Sequence, residues 1–104
     1  MLKYTLIANN VVENAKDFGI GMGWGPYARN VSTQGNLIQN CGTGIFVSVN
    51  EGAGQSHVAG NIISGSKKAA IVGMDHSETK TDDLGKADAK VPDKVLLKDN
   101  IIRA

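Results

Sequence analysis

The stretch Gly35-Asn36-Leu37-Ile38-Gln39-Asn40 decides the fold, because the rest of the chain copies it. An Asn followed by two aliphatic residues and a polar residue recurs at Asn10, Asn36, Asn61 and Asn100. The successive spacings are 26, 25 and 39 residues. A motif that returns about every 25 residues is typical of a stacked repeat, in which each unit buries its apolar face against the next.

A second stretch recurs after each Asn motif and has the pattern of a strand. Ile20, Met22 and Trp24 alternate with glycines, and a period of two is that of a strand with one buried face. The segments 44–49 and 70–74 occupy the same place in the following repeats. The Asn and the first Ile of this strand are ten, nine and ten residues apart. We place the missing residue in the turn, since a slip within the strand would exchange its faces.

These repeats predict an all-β fold, a short parallel β-helix (a solenoid) of about four coils with one long polar loop. We expect a single domain over residues 1–104 whose coils lie at about 3–29, 30–55, 56–74 and 95–104. The surplus between the third and fourth coils predicts a loop insertion at 75–94, solvated and carrying at most one helical turn near 82–87. A fold built on βαβ units is disfavoured, because no 11-residue window holds a Gly-free amphipathic pattern.

The asparagines predict ladders along the stack. Side-chain amides at equivalent positions can donate to the coil on one side and accept from the coil on the other. The first ladder is formed by the four Asn residues that begin the motif. Asn14 and Asn40 predict a second ladder, which Gly65 interrupts.

The composition and charge of the chain limit the kinds of partner that it could bind. The formal net charge of +1 gives no electrostatic case for binding nucleic acid or an anionic membrane. No apolar run approaches the roughly 18 residues of a membrane span. Cys41 is the single cysteine, so an intramolecular disulfide is excluded. The N-terminus lacks the pattern of a secretory signal, and the sequence leaves the localisation open.

The motif Gly35-Asn36-Leu37-Ile38-Gln39-Asn40, followed by Gly44-Ile45, resembles the right-handed parallel β-helix repeats of the pectin-lyase-like superfamily. Segments 19–27, 47–54 and 70–74 are similar to the C-terminal coils of exported, twin-arginine-translocated bacterial repeat proteins of unknown function. The first resemblance implies a right-handed solenoid. The second implies a fragment of a longer helix and a periplasmic or extracellular placement for that longer protein, and it brings no activity.

Aromatic and polar residues near one corner predict a carbohydrate site. Trp24 and Tyr27 could form a platform for a sugar ring, and Glu51 and His57, one coil further on, could share that surface. The alternative, which we favour, places Trp24 in the core beside Ile20 and Met22. The alternating glycines around Trp24 also resemble a nucleotide-binding loop, but no helix start follows them, and we favour a glycine-lined strand.

The start of the insertion predicts a possible ion site. Asp75 and His76 are followed by Glu78, Asp82 and Asp83, and such carboxylates can hold Ca²⁺ through oxygen ligands. Lyases of the superfamily use Ca²⁺ with a basic residue. The alternative is a solvated loop, which we favour.

A catalytic triad formed by Ser48, His57 and Asp75 can be imagined, but no nucleophile-elbow pattern surrounds Ser48. We therefore assign no catalytic residue. We expect a non-catalytic module that binds a polysaccharide or has a structural, assembly role. The alternative is a polysaccharide lyase or hydrolase, or a fragment of one, acting on an acidic glycan.

The two ends of the predicted stack lack polar caps, which terminal repeats of solenoids normally carry. Unpaired strand edges promote association. We therefore expect a homo-oligomer through the exposed coil ends, or a fragment cut from a longer helix.

Overall fold

The structure is a computed structural model that describes residues 4–25 and 29–104. Its regular elements are short β-strands. Each of the first three repeats contains three of them, one before the Asn of the motif and two after it. The strands are β1 (Thr5–Ala8), β2 (Val11–Glu13), β3 (Phe18–Met22), β4 (Val31–Gln34), β5 (Leu37–Gln39), β6 (Thr43–Ser48), β7 (Ser56–Ala59), β8 (Ile62–Ser64), β9 (Ala69–Asp75), β10 (Glu78–Thr79), β11 (Val95–Lys98) and β12 (Ile101–Arg103).

Successive repeats contribute one strand each to three sheets, so that neighbours within a sheet are distant in sequence. The first sheet has the order β1-β4-β7-β11, the second β2-β5-β8-β12 and the third β3-β6-β9-β10. All pairings are parallel except that of β10 with β9. The prediction of an all-β chain built on parallel sheets is confirmed.

The core is formed by aliphatic side chains stacked in columns. Val12, Ile38, Ile63 and Ile102 pair in register along the second sheet, and the two central members have no exposed surface. The preceding residue of each pair points outward; Ile62, for example, is 40% exposed. One member of each central aliphatic pair therefore fills the interior, as the sequence predicted, whereas Ile102 in the last repeat is 37% exposed.

The first Asn ladder is confirmed. The Nδ2 atoms of Asn10, Asn36 and Asn61 donate to the Oδ1 atoms of Asn36, Asn61 and Asn100 respectively, each over 3.0 Å. Each of these Oδ1 atoms also accepts the backbone N–H of the preceding ladder Asn. A second hydrogen of each following amide is donated to a carbonyl of the preceding repeat, as from Asn36 to Ile7. The ladder satisfies backbone and side chain together at the bend between the first and second sheets.

The predicted second ladder is wrong. No hydrogen bond joins the side chains of Asn14 and Asn40 among the described residues. What Asn14, Asn40 and Gly65 share is a left-handed backbone, with φ of 61°, 56° and 66°. Asn and Gly are the residues that adopt this conformation most readily. Gly65 is therefore the third member of a column of equivalent turns, and not an interruption.

The expectation of a solvated insertion holds for its exposed residues, such as Lys86 and Asp88, but not for the part that lies next to β9. Residues 78–85, which we call the strap, run back along the free edge of β9, and they contain no helix. Lys80 N–H donates to the Gly73 carbonyl over 2.9 Å, and Leu84 N–H donates to the Ile71 carbonyl over 2.7 Å. The Leu84 side chain is 3% exposed and joins the core. The strap takes the place that a further strand of the third sheet would occupy.

We expect Asn61→Ala to destabilise the protein strongly. The change removes the acceptor of the buried Asn36 N–H and the donor to the Thr33 carbonyl. Each buried polar group left unpaired costs about 1–3 kcal/mol, so the free energy of unfolding should fall by about 3 kcal/mol or more. Urea titration followed by circular dichroism measures it. The control Asn10→Ala, at the exposed end of the ladder, should lose clearly less; equal losses would contradict the role of the ladder.

Candidate functional site

Trp24 leaves the core where β3 ends. Inward and outward side chains alternate along β3 up to Met22, which has no exposed surface. Gly23 then adopts a φ of 85°. This conformation, which suits glycine, turns the chain outward. Trp24 is consequently 49% exposed. The alternative that placed Trp24 beside Ile20 in the core is wrong.

The exposed indole packs against a histidine two repeats further along the chain. The ring centroids of Trp24 and His76 are 5.3 Å apart, and the rings lie edge to face at 79°. His76 Nδ1 lies 2.8 Å from Asp75 Oδ1. Gly25 is buried behind this imidazole, and a Cβ atom there would collide with the ring. The glycine is thus a steric requirement of the contact.

Asn50 completes the group, and the sequence prediction missed it. Its Nδ2 atom donates to Asp75 Oδ1 over 2.5 Å. Trp24, Asn50, Asp75 and His76 together form what we call the corner cluster, where the chain passes from the third sheet to the first. The available signal was the 25-residue separation of Asn50 from Asp75, which is the period of the ladder.

The turn that carries Asn50 is held from outside. Ala53 N–H donates to the Asn50 carbonyl over 3.0 Å. Lys94 Nζ donates to the carbonyls of Asn50 and Ala53, each over 3.1 Å. The insertion therefore fixes the corner cluster through its last residues, in addition to covering the edge of β9 through the strap.

The cluster holds a negative charge in place. The hydrogen bond from Asn50 lowers the pKa of Asp75 below its ordinary value of 3.8, and the hydrogen bond to His76 and attraction to Lys80 act in the same direction. Desolvation opposes this shift but does not outweigh it. At neutral pH the site therefore presents a fixed carboxylate beside a half-exposed indole, which suits the recognition of hydroxyl groups.

The other predicted site residues are placed differently. Glu51 is exposed in the turn after Asn50. His57 belongs to β7 in the first sheet, where its Nδ1 lies 3.4 Å from Ser32 Oγ, and no described contact joins it to the corner cluster. Tyr27 lies outside the described residues. The structure thus unites Trp24, Asp75 and His76 and does not bring His57 to them.

The imagined triad is not assembled. Ser48 is 2% exposed, and its hydroxyl donates to the Gly25 carbonyl over 2.6 Å. His57 and Asp75 use other partners, namely Ser32 and Asn50. Ser48 therefore supports the glycine behind His76 and is not presented as a nucleophile.

The acidic residues of the insertion have a structural use. Asp83 Oδ2 accepts the N–H of Ala70 over 3.0 Å, and Asp83 Oδ1 accepts those of Ile71 and Gly85 over 3.2 and 2.8 Å. These bonds replace strand pairing at the edge of β9. Within residues 4–25 and 29–104, no three His, Cys, Asp or Glu side chains gather as a metal site. The geometry therefore gives no support to the calcium prediction.

A family model described as "right handed beta helix region" matches residues 1–83. The chain belongs to the right-handed β-helix family. Comparison with curated proteins gives no match, and neither does comparison with solved structures. Membership agrees with the parallel sheets, but it assigns no activity. No helix in the described part of the chain has the length and apolarity needed to cross a membrane.

We expect Asp83→Ala to lower the free energy of unfolding by about 2 kcal/mol or more. Three backbone N–H groups lose a charged acceptor, and hydrogen bonds to charged groups contribute about 1.5–3 kcal/mol each when buried. Urea unfolding checks this. Asp82→Ala is the matched control, since Asp82 is exposed, and it should unfold like the unaltered protein. Similar curves for both variants would contradict the strap assignment.

The lowered pKa of Asp75 predicts a pH-dependent contribution to stability. A carboxyl whose pKa is lower in the folded state stabilises that state above its ordinary value of 3.8 and loses this effect as pH falls through the lowered value. The unaltered protein should therefore melt at a higher temperature than Asp75→Asn at pH 7, and the gap should close below pH 3.8. Thermal scans by circular dichroism test this; a gap that is constant with pH would contradict it.

Proposed function

We propose that the protein is a non-catalytic β-helix module that binds a glycan at the corner cluster. The observation that carries the proposal is the half-exposed Trp24 indole beside the fixed Asp75 carboxylate. A pyranose ring has an apolar C–H face and a rim of hydroxyl groups. An aromatic face suits the first, and a charged acceptor suits the second.

The site is organised before any ligand arrives. Asn50 and His76 both hold the Oδ1 atom of Asp75, and Lys94 holds the turn that carries Asn50. Groups held in their binding geometry lose little conformational entropy when a ligand binds. This supports recognition of a weakly interacting ligand such as a sugar.

The charge of the cluster favours a neutral glycan. Asp75 is ionised at neutral pH, as a carboxyl with the ordinary pKa of 3.8 already is, and a uronate carboxylate stacked on Trp24 would meet a like charge. The alternative of a lyase or hydrolase acting on an acidic glycan therefore receives less support from this site than a module for neutral hexose or pentose chains.

We also infer that the paired strands form a short solenoid of the pectin-lyase-like kind with about four coils. The coils are those that the sequence predicts, at about 3–29, 30–55, 56–74 and 95–104. The alternative is that the stack forms part of a longer exported helix, whose further coils would cover its ends. Three repeats supply the corner cluster, in the order Trp24, Asn50 and Asp75-His76. A binding function therefore requires the stacked repeats, which the ladder and the strap hold together.

Titration with a panel of neutral and acidic oligosaccharides tests the function. Trp24 is the only tryptophan, so intrinsic fluorescence reports directly from the proposed site. We expect a saturable spectral change with at least one neutral glycan, and a loss of binding of about tenfold or more in Asp75→Asn. Calorimetry gives the same quantity for Trp24→Ala, which has no fluorescence signal.

Tyr4→Ala is the matched aromatic control. Tyr4 is 77% exposed, precedes β1 and lines a hollow with Ser32 and His57 of the first sheet, so its removal should leave the affinity unchanged. A silent panel would contradict glycan binding. Binding that is lost in Tyr4→Ala and retained in Trp24→Ala would place the site on the first sheet instead.

A further inference from the structure

The Asn ladder has a direction. In each described pair of the ladder, the Asn nearer the N-terminus donates to the Asn nearer the C-terminus. It donates both its backbone N–H and a hydrogen of its Nδ2 atom. The inner members Asn36 and Asn61 both give and receive this pair of bonds. Among the described residues, Asn10 Oδ1 receives none, and the backbone N–H of Asn100 gives none. One end of the ladder is therefore an acceptor and the other a donor.

The two ends are also complementary in their apolar surface. At the donor end a hollow of about 200 Å³ opens between the strap and the last repeat, lined by Leu84, Leu97 and Ile102 among others. The Ile102 side chain is 37% exposed, and its Cδ1 atom lies close to Gly85 of the strap. At the acceptor end Val12 is half buried and packs against the core from its outer side. Val12 is the residue that stacks over the Ile102 column in register.

Two of the three sheets remain open at the donor end. The strap covers β9 and closes the third sheet, but β11 and β12 have no further strand beyond them in their sheets. A second copy could therefore add its β1 to β11 and its β2 to β12. Both additions would be parallel pairings of the kind already present between successive repeats.

We propose that the chain assembles head to tail with further copies of itself. Asn100 of one copy donates to Asn10 Oδ1 of the next, and Val12 of that next copy fills the hollow above Ile102. The assembly continues the ladder and the apolar column without a change of register. Joining two acceptor ends would instead oppose two Oδ1 atoms and reverse the strands. The contact is heterologous, and such contacts propagate when the rotation does not close a ring.

Sedimentation velocity and light scattering over a wide concentration range test the assembly. The mean mass should rise continuously above the 10.9 kDa of one chain and pass through no fixed plateau at two chains. A mass that stays at one chain at millimolar concentration would overturn the proposal. A mass that stops at two chains would also overturn it, because it indicates a closed, symmetric contact.

Matched substitutions test which surface is used. Val12→Lys and Ile102→Lys place a charge on the inward column at the two ends, and both variants should be monomeric. Val11→Lys and Ile101→Lys make the same change at the neighbouring outward positions, which are 64% and 46% exposed, and both should assemble like the unaltered chain. Each variant must retain the β-type circular dichroism spectrum and cooperative melting; Ser replaces Lys at any position where it does not.

Mixing tests the polarity. Val12→Lys retains a good donor end, and Ile102→Lys retains a good acceptor end, so an equimolar mixture should form a complex of two chains although neither variant associates alone. Masses of one chain in the mixture, or association of either variant with itself, would overturn the head-to-tail contact. This result is independent of glycan binding, because neither position belongs to the corner cluster.

Discussion

The side-chain amides at the bend between the first and second sheets constrain the whole stack. Asn36 and Asn61 are 1% and 0% exposed, and burying an amide is unfavourable unless its donors and acceptor are paired. Pairing is achieved only when an equivalent Asn lies one strand spacing above and another one below. The buried amide therefore fixes the period of the repeat at this bend, while the neighbouring aliphatic column needs only volume to be filled.

The bend that contains the ladder keeps the same length in every repeat, and length varies only at the other two bends. Asn10 and Asn36 are 26 residues apart, whereas their strand partners Ile20 and Ile45 are 25 apart. The turn between the second and third sheets absorbs the difference, as the sequence predicted. This turn begins with left-handed residues such as Asn14 and Asn40, whose requirement is local. A local requirement tolerates a change in length, and a ladder that spans repeats does not.

Features that recur with the period could be predicted from the sequence, and features that break it could not. The ladder and the inward columns repeat, so pattern alone located them. The departure of Trp24 from its strand depends on the backbone of Gly23, which no alternation of residue types specifies. Asp83 acts on Ala70 and Ile71, 12 to 13 residues earlier, at a separation unrelated to the repeat. The carboxylates in this polar segment suggested metal ligands. The oxygens of Asp83 instead accept hydrogen bonds from backbone N–H groups at the edge of a sheet.

One insertion both covers the edge of β9 and completes the corner cluster. An exposed parallel edge is prone to pair with other chains, and the strap removes that edge from the third sheet alone. The same insertion begins at Asp75 and His76 and ends near Lys94, which are the groups that complete and hold the corner cluster. Closing the third sheet therefore keeps the β9 edge beside the cluster from pairing with another chain, while the Asn ladder sets the register of the first and second sheets.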